Sequence, residues 1–188
     1  MINIIGGKFK KTRLEVPSNE VRPTSSLKRE AIFSVLESNA LKNSYDLYNK
    51  KSFIDLYAGS GSLALEAISR GGFFGYFVDN DKKTINSLEK NCSKICKNKN
   101  YQIILADVLA LNFDFKDNNI STIFIDPPYR INPFNDILNK IYKSLILNIN
   151  TNIVIELSKK TSFEIPSNFY LFNEKIFGKT KIIFLKKK

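Results

Sequence analysis

From residue 52 onward, short apolar runs alternate with stretches whose apolar positions recur every three or four residues. Residues 52–57 form an apolar run that contains Asp55, and the tight turn Gly59-Ser60-Gly61 follows it. A helix pattern over 63–69 is ended by Gly71-Gly72. Residues 73–78 predict a second strand, closed by Asp79, and 82–97 an amphipathic helix. Residues 101–106 predict a third strand, followed by Asp107, and 120–125 a fourth. A helix over 134–147 and a fifth strand over 152–157 complete the alternation. Strands alternating with helices predict an α/β fold with a doubly wound, mainly parallel sheet. The end of the chain differs. Residues 169–177, then Gly178, then 179–185 predict an antiparallel hairpin that closes the sheet, and Lys186 to Lys188 read as a frayed tail.

The beginning of the chain follows other rules. Ile2, Ile4 and Ile5, then Gly6-Gly7, then alternating basic and apolar residues to Leu14 predict a small β-hairpin. Its exposed face carries Lys8, Lys10 and Arg13, either as a phosphate-contacting arm or as an edge guarded by lysine. Residues 17–23 read as a linker. Arg22-Pro23-Thr24 opens a helix with Thr24 or Ser25 as its cap and apolar positions at Leu27, Ala31, Ile32, Val35 and Leu36. Lys28 and Arg29 fall in its first turns, where the helix dipole does not favour cations, so these charges are expected to serve a partner. Residues 1–45 are therefore expected to form an extension, and 46–188 the main domain.

Length and composition narrow the class. At 188 residues the chain can bury one full core, and 43% hydrophobic content fits a soluble globular protein. No apolar run is long enough to span a bilayer, and the first residues do not read as a signal peptide, so a cytoplasmic monomer is expected. Cys92 and Cys96 stand four apart in a helix pattern. That is not a redox spacing, and they are expected to be small buried hydrophobes. The net charge of +11 suggests an anionic partner such as nucleic acid. A chain this rich in lysine, asparagine and isoleucine would be basic in any case, so the placement of single charges weighs more than their total. The absence of histidine is more restrictive. It excludes mechanisms that need a histidine base or a histidine-ligated metal, and no metal is expected.

The candidate chemistry centres on Asp126-Pro127-Pro128-Tyr129, directly after the 120–125 run. Two prolines lack N–H groups, lock φ and restrict the residue before each of them. The result is a rigid turn at the carboxyl end of a strand, where ligands bind in open α/β sheets. It carries a carboxylate, carbonyls and an aromatic ring. Such a turn suits the exocyclic amine of a planar base, whose lone pair is delocalised into its ring. A carboxylate and a carbonyl can accept the two N–H bonds, and the aromatic ring can stack on the base.

A second constellation precedes it. Asp55, Asp79 and Asp107 fall on or at the ends of three successive strands, and glycines 59 and 61 let the backbone approach a ligand. An acid about twenty residues after a glycine turn suits a ribose diol. The turn also fits Gly-x-Gly-x-x-Ala, so a dinucleotide is an alternative. Asp55 argues against it, because a carboxylate repels pyrophosphate and attracts the ammonium and sulfonium of S-adenosylmethionine. Asp107 followed by Val108 suits adenine.

These motifs carry a resemblance. Asp55-Leu56-Tyr57-Ala58-Gly59-Ser60-Gly61 followed by Asp126-Pro127-Pro128-Tyr129 resembles the class I S-adenosylmethionine-dependent amino-methyltransferases. Ile4-Ile5-Gly6-Gly7-Lys8-Phe9, Arg22-Pro23-Thr24, Arg29-Glu30-Ala31-Ile32-Phe33 and Leu65-Glu66-Ala67-Ile68-Ser69-Arg70-Gly71 resemble the RsmD family, bacterial 16S rRNA guanine-N2 methyltransferases. The likeness extends to Phe177-Gly178-Lys179-Thr180. This chain has Ser26 where the family often has an acid, and Phe177 where tyrosine is usual nearby.

The resemblance implies a seven-stranded, Rossmann-like class I methyltransferase sheet with a small N-terminal hairpin and helix extension. It also implies methyl transfer to a guanine N2 amine of 16S rRNA, at the guanine 966 site. By that likeness Asp55, Tyr57, Gly59, Ser60 and Gly61 line the methionine end of the cofactor, Asp79 holds the ribose, and Asp107 and Val108 the adenine. Asp126 and Pro127 grip the amine, Pro128 stiffens the turn, and Tyr129 stacks on the base. Lys8, Lys10, Arg13, Arg22, Lys28 and Arg130 are expected to contact the RNA, either free or in the small ribosomal subunit particle. A DNA adenine-N6 methyltransferase shares the catalytic turn but normally carries an added domain. A non-catalytic RNA-binding assembly factor would be expected to lose these acids.

Overall fold

The computed structural model describes residues 2–17, 24–96, 100–116, 119–128 and 130–188. Successive residues of each central strand face opposite sides of one sheet. Phe53, Phe77, Phe124, Val154 and Phe184 belong to one core, and their neighbours Ile54, Val78, Ile123, Ile155 and Leu185 to another. Strands covered on both faces must be apolar on both, which is why these segments read as runs and not as alternations.

The sheet contains β3 (Ser52–Leu56), β4 (Phe74–Asp79), β5 (Tyr101–Leu105), β6 (Ile120–Ile125), β7 (Asn152–Ser158), β8 (Phe169–Phe177) and β9 (Thr180–Lys187). Their spatial order is β5-β4-β3-β6-β7-β9-β8. The contacts among β5, β4, β3, β6 and β7 are parallel, and β7–β9 and β9–β8 are antiparallel. Helices α1 (Ser26–Lys42), α2 (Ser62–Ser69) and α3 (Lys82–Ile95) cover the first face. Helix α4 (Phe134–Lys143), with Phe113 and Phe115 of the β5–β6 connection, covers the second. The chain winds outward from β3 to β5, then returns to place β6 on the other side of β3. In open α/β sheets such a reversal places the ligand crevice at the carboxyl ends of the strands beside it, here β3, β4 and β6. Among the described residues, no helix is long and apolar enough to cross a membrane.

The predicted N-terminal hairpin is present and short: β1 (Ile2–Asn3) pairs antiparallel with β2 (Arg13–Leu14). It is fastened to α2 by groups from the Leu-Glu-Ala-Ile-Ser-Arg-Gly stretch. Buried Glu66 accepts the N–H groups of Ile5 and Gly6, each at 2.8 Å. The Ser69 hydroxyl donates to the Gly6 carbonyl and accepts the Phe9 N–H. Gly7 has φ +72°, and a Cβ there would lie 1.9 Å from the Ser69 carbonyl oxygen, so the contact itself requires glycine. Ile2, Ile4 and Leu14 share the core of Phe33, Leu36 and Phe53.

Three expectations are corrected. Leu27 follows the helical spacing but is 66% exposed. Helix α4 stops at Lys143, because Ser144 turns extended (ψ 163°) and its hydroxyl caps the Ile141 carbonyl. The apolar residues to 147 therefore belong to the following loop. Lys186 is no tail residue: it lies in β9 with 5% exposure, its ammonium 4.4 Å from the Tyr45 ring centroid. Burial lowers its pKa, and the ring face compensates part of the lost hydration. Cys92 and Cys96 are buried free thiols, and the Cys92 thiol is pushed up by its hydrogen bond to Cys96 and by burial.

Candidate active site

The first half of the crevice is built from turns. As the chain leaves β3, Tyr57, Gly59 and Gly61 adopt φ of +64°, +54° and +75°. Ala58 N–H still extends the β3–β4 ladder to the Val78 carbonyl at 2.9 Å. At Gly61 the φ of +75° strains any side chain, and a Cβ would also press on Leu88 Cδ1 of α3 at 2.5 Å. Asp79, last residue of β4, accepts Gly59 N–H (2.9 Å) through Oδ2 and Asp81 N–H (3.0 Å) through Oδ1. A carboxylate has about four lone-pair sites, so both oxygens retain capacity for a diol.

Asp55 lies deeper, 2% exposed, and its Oδ2 accepts Ala64 N–H at 3.2 Å. That is the first turn of α2, where the dipole favours an anion. Asp107 is exposed and caps a 3₁₀ turn (Val108–Ala110) by accepting Leu109 N–H at 2.9 Å, with Val108 buried beside it.

Two buried hydroxyls along the β3 turn, Tyr57 Oη and Ser60 Oγ, have no hydrogen-bond partner among the described residues. Burial, and then the charge of Asp107, push the Tyr57 pKa up to about 12, so it is a neutral donor. Buried polar atoms are normally satisfied, so two orphans along one turn fit a ligand with polar groups of its own. The donor set therefore fits S-adenosylmethionine: carboxylates for its cationic end and diol, and hydroxyls for its polar atoms.

The second half is built from distant pieces. Asp126 follows Ile125, which pairs with Leu56 of β3 on one side and Ile155 of β7 on the other. Its Oδ2 accepts the Thr24 hydroxyl at 2.9 Å. Pro127 is buried and Pro128 exposed, and the Pro128 carbonyl closes the turn on Ile131 N–H at 3.1 Å. Thr24 is not the cap of α1. Ser25 is, its Oγ accepting Lys28 N–H at 3.3 Å.

The expectation that Arg29 serves a partner is corrected. It is 1% exposed and donates to the Thr24 carbonyl (2.5 Å) and the Asn3 carbonyl (2.7 Å). Lys28 pairs with buried Glu156, which follows the Ile155 that pairs with Ile125, and donates to Thr180 Oγ1 at 3.2 Å. An RNA contact by Lys28 would have to open this pair. Lys8, Lys10, Arg13 and Arg130 are exposed. Arg22 and Tyr129 lie outside the described residues. Sequence reasoning missed Thr24 as a partner of Asp126 and Glu156 as a partner of Lys28, and no local pattern marks either.

This sheet order, with a glycine turn and an acid on adjacent strands at the reversal, defines a class I methyltransferase fold. Residues 2–186 match the family described as "Conserved hypothetical protein 95". The chain belongs to that family, the RsmD family of methyltransferases. It is 34% identical over 176 residues to "Ribosomal RNA small subunit methyltransferase D" of Buchnera aphidicola subsp. Acyrthosiphon pisum, covering 93% of this chain and 87% of the relative. It is 29% identical to an "Uncharacterized methylase" of Rickettsia prowazekii, covering 99% and 98%. The solved structure of "Putative methyltransferase yhhF" from Escherichia coli superposes with a TM-score of 0.81 at 26% identity, covering 100% of this chain and 98% of that one.

Proposed function

We propose that this protein transfers the methyl group of S-adenosylmethionine to the exocyclic N2 amine of a guanine in small-subunit (16S) rRNA, at the guanine 966 site. The observation that carries the reading is the Asp126-Pro127-Pro128 turn at the end of β6, one strand from the glycine turn of β3. The names of the rRNA methyltransferase relatives support the RNA substrate.

Asp55, Tyr57, Gly59, Ser60 and Gly61 hold the methionine end of the donor, Asp79 its ribose hydroxyls, and Asp107 and Val108 its adenine. When bound, the donor supplies an electrophilic methyl on a cationic sulfur. The guanine amine is a poor nucleophile. Asp126 and the Pro127 carbonyl accept its two N–H bonds and turn the nitrogen lone pair toward the methyl. Pro128 keeps the turn from relaxing, and Tyr129 stacks on the base. The gain comes from orientation and near-attack geometry. The released proton passes to water, which suits a chain without histidine.

Residues 1–45 serve as an RNA-contacting extension of the catalytic domain at 46–188. Lys8, Lys10, Arg13, Arg22 and Arg130 contact phosphates, which position the RNA without specifying sequence. Selectivity comes from the shape of the folded RNA or small-subunit particle, which a cytoplasmic monomer can reach.

The test is transfer from labelled S-adenosylmethionine to small-subunit particles, naked 16S rRNA and DNA from cells lacking the protein, followed by nucleoside analysis. Label in N2-methylguanosine is expected. Label in N6-methyladenine of DNA, or no label from a protein that binds the donor, would overturn the reading.

A further inference from the structure

We propose that Thr24 is a positioning residue for Asp126, and that buried Arg29 fixes Thr24 in that role. The inference rests on the reading of Asp126 as the group that receives the amine. Thr24 stands 102 positions from Asp126, yet its hydroxyl donates to Asp126 Oδ2 at 2.9 Å. The hydroxyl is not engaged in capping α1, because Ser25 does that. An aspartate at a strand end has two side-chain torsions to settle. A buried donor on one oxygen settles both, and so sets the direction in which the carboxylate lone pairs point.

Thr24 is held in turn. Its carbonyl accepts Arg29 Nη1, and Arg29 Nη2 reaches the Asn3 carbonyl at 2.7 Å. A guanidinium buried to 1% exposure tolerates little displacement, because each lost acceptor leaves a desolvated N–H. Three hydrogen bonds thus run from β1 of the hairpin through Arg29 and Thr24 to Asp126. The hairpin that carries Lys8, Lys10 and Arg13 and the carboxylate at the crevice share one rigid chain.

Two substitutions test this. Thr24→Val keeps the shape and removes the donor, and Thr24→Ser keeps the donor. Thr24→Val is expected to lower kcat about 10- to 100-fold, the range for a hydrogen bond to a charged group. KM for RNA and donor affinity should stay within about twofold of wild type. Thr24→Ser should recover most of the kcat. A merely structural role would lower Tm without separating kcat from KM.

The second readout needs neither RNA nor donor. In protein labelled with ¹³C at aspartate carboxyls, the Asp126 signal is identified by its loss in Asp126→Asn. It should move in Thr24→Val and return in Thr24→Ser. A signal unmoved in Thr24→Val overturns the proposal, as does wild-type kcat in that variant. A wild-type protein that makes no N2-methylguanosine, with the signal still sensitive to Thr24, refutes the proposed reaction and not the positioning.

Discussion

The two halves of the crevice are held in different ways. Around β3, β4 and β5 the three candidate cofactor acids are each tied to the backbone N–H of a turn close by in the chain: Asp79 to Gly59 and Asp81, Asp107 to Leu109, Asp55 to Ala64. Around β6, β7 and β9, Asp126, Glu156 and Thr180 are tied by side chains from the start of α1. Thr24 reaches Asp126 across 102 positions, and Lys28 reaches Glu156 across 128 and Thr180 across 152. One half is a set of turns that close as their strands pair. The other is a clasp that exists only once α1 has docked. Local opening at the N-terminal end of α1 would therefore release the Asp126 side, proposed to take the amine, and leave the glycine-turn side, proposed to take the donor, formed.

Substitutions can separate the two halves. Asp126→Ala should lower methyl transfer about a hundredfold or more, the scale of losing a near-attack geometry, in single-turnover assays. If donor binding fell in parallel, the halves would not be separable. Asp79→Ala should weaken S-adenosylmethionine binding about tenfold or more, since it removes acceptors for the diol and the anchor of Gly59. Calorimetry reads this directly, and unchanged affinity would remove Asp79 from the donor side.

Lys28→Met should cost about 3 kcal/mol in urea unfolding, because it removes the Lys28 ammonium from the buried Glu156 carboxylate. The double variant Lys28→Met/Glu156→Leu should recover much of that loss. An unchanged midpoint in the single variant would mean that the clasp is not a stability element. Reversing Lys8 and Arg13 to Glu should reduce the slope of log affinity for RNA against log salt by about one per phosphate contact, with donor affinity unmoved.

The smallest effect concerns pH. Tyr57 is raised from 10.0 to about 12 by burial and by Asp107. Its folded value exceeds its unfolded one, so its contribution to stability is complete below pH 10 and declines as pH rises toward 12. Tyr57→Phe should flatten that part of the alkaline unfolding curve, and an unaltered curve would contradict the burial of its hydroxyl.

The turns around β3, β4 and β5 were legible in the sequence because their determinants are local. Apolar runs ended by Asp79 and Asp107, and a glycine turn after β3, state the fold and the ligand edge together. The Asp126 turn was legible for the same reason. What surrounds it was not. Lys28 and Arg29 are two cations at the unfavourable end of a helix dipole when seen in sequence. Their counterparts are Glu156, far along the chain, and backbone carbonyls, which no residue name reveals. Lys186 looked like a solvated tail because the Tyr45 ring that receives its ammonium lies far away in the sequence. Leu145 and Leu147 prolonged the helical spacing of α4, but periodicity cannot register that Ser144 has already turned out of the helix.

The most direct test of the division is a calorimetric titration of S-adenosylmethionine into wild type and into Asp126→Ala, with transfer measured on the same samples. Donor affinity within about twofold of wild type, with transfer abolished, is expected. A variant that loses the donor along with the reaction would contradict it, and would show the crevice to be one site with no separable halves.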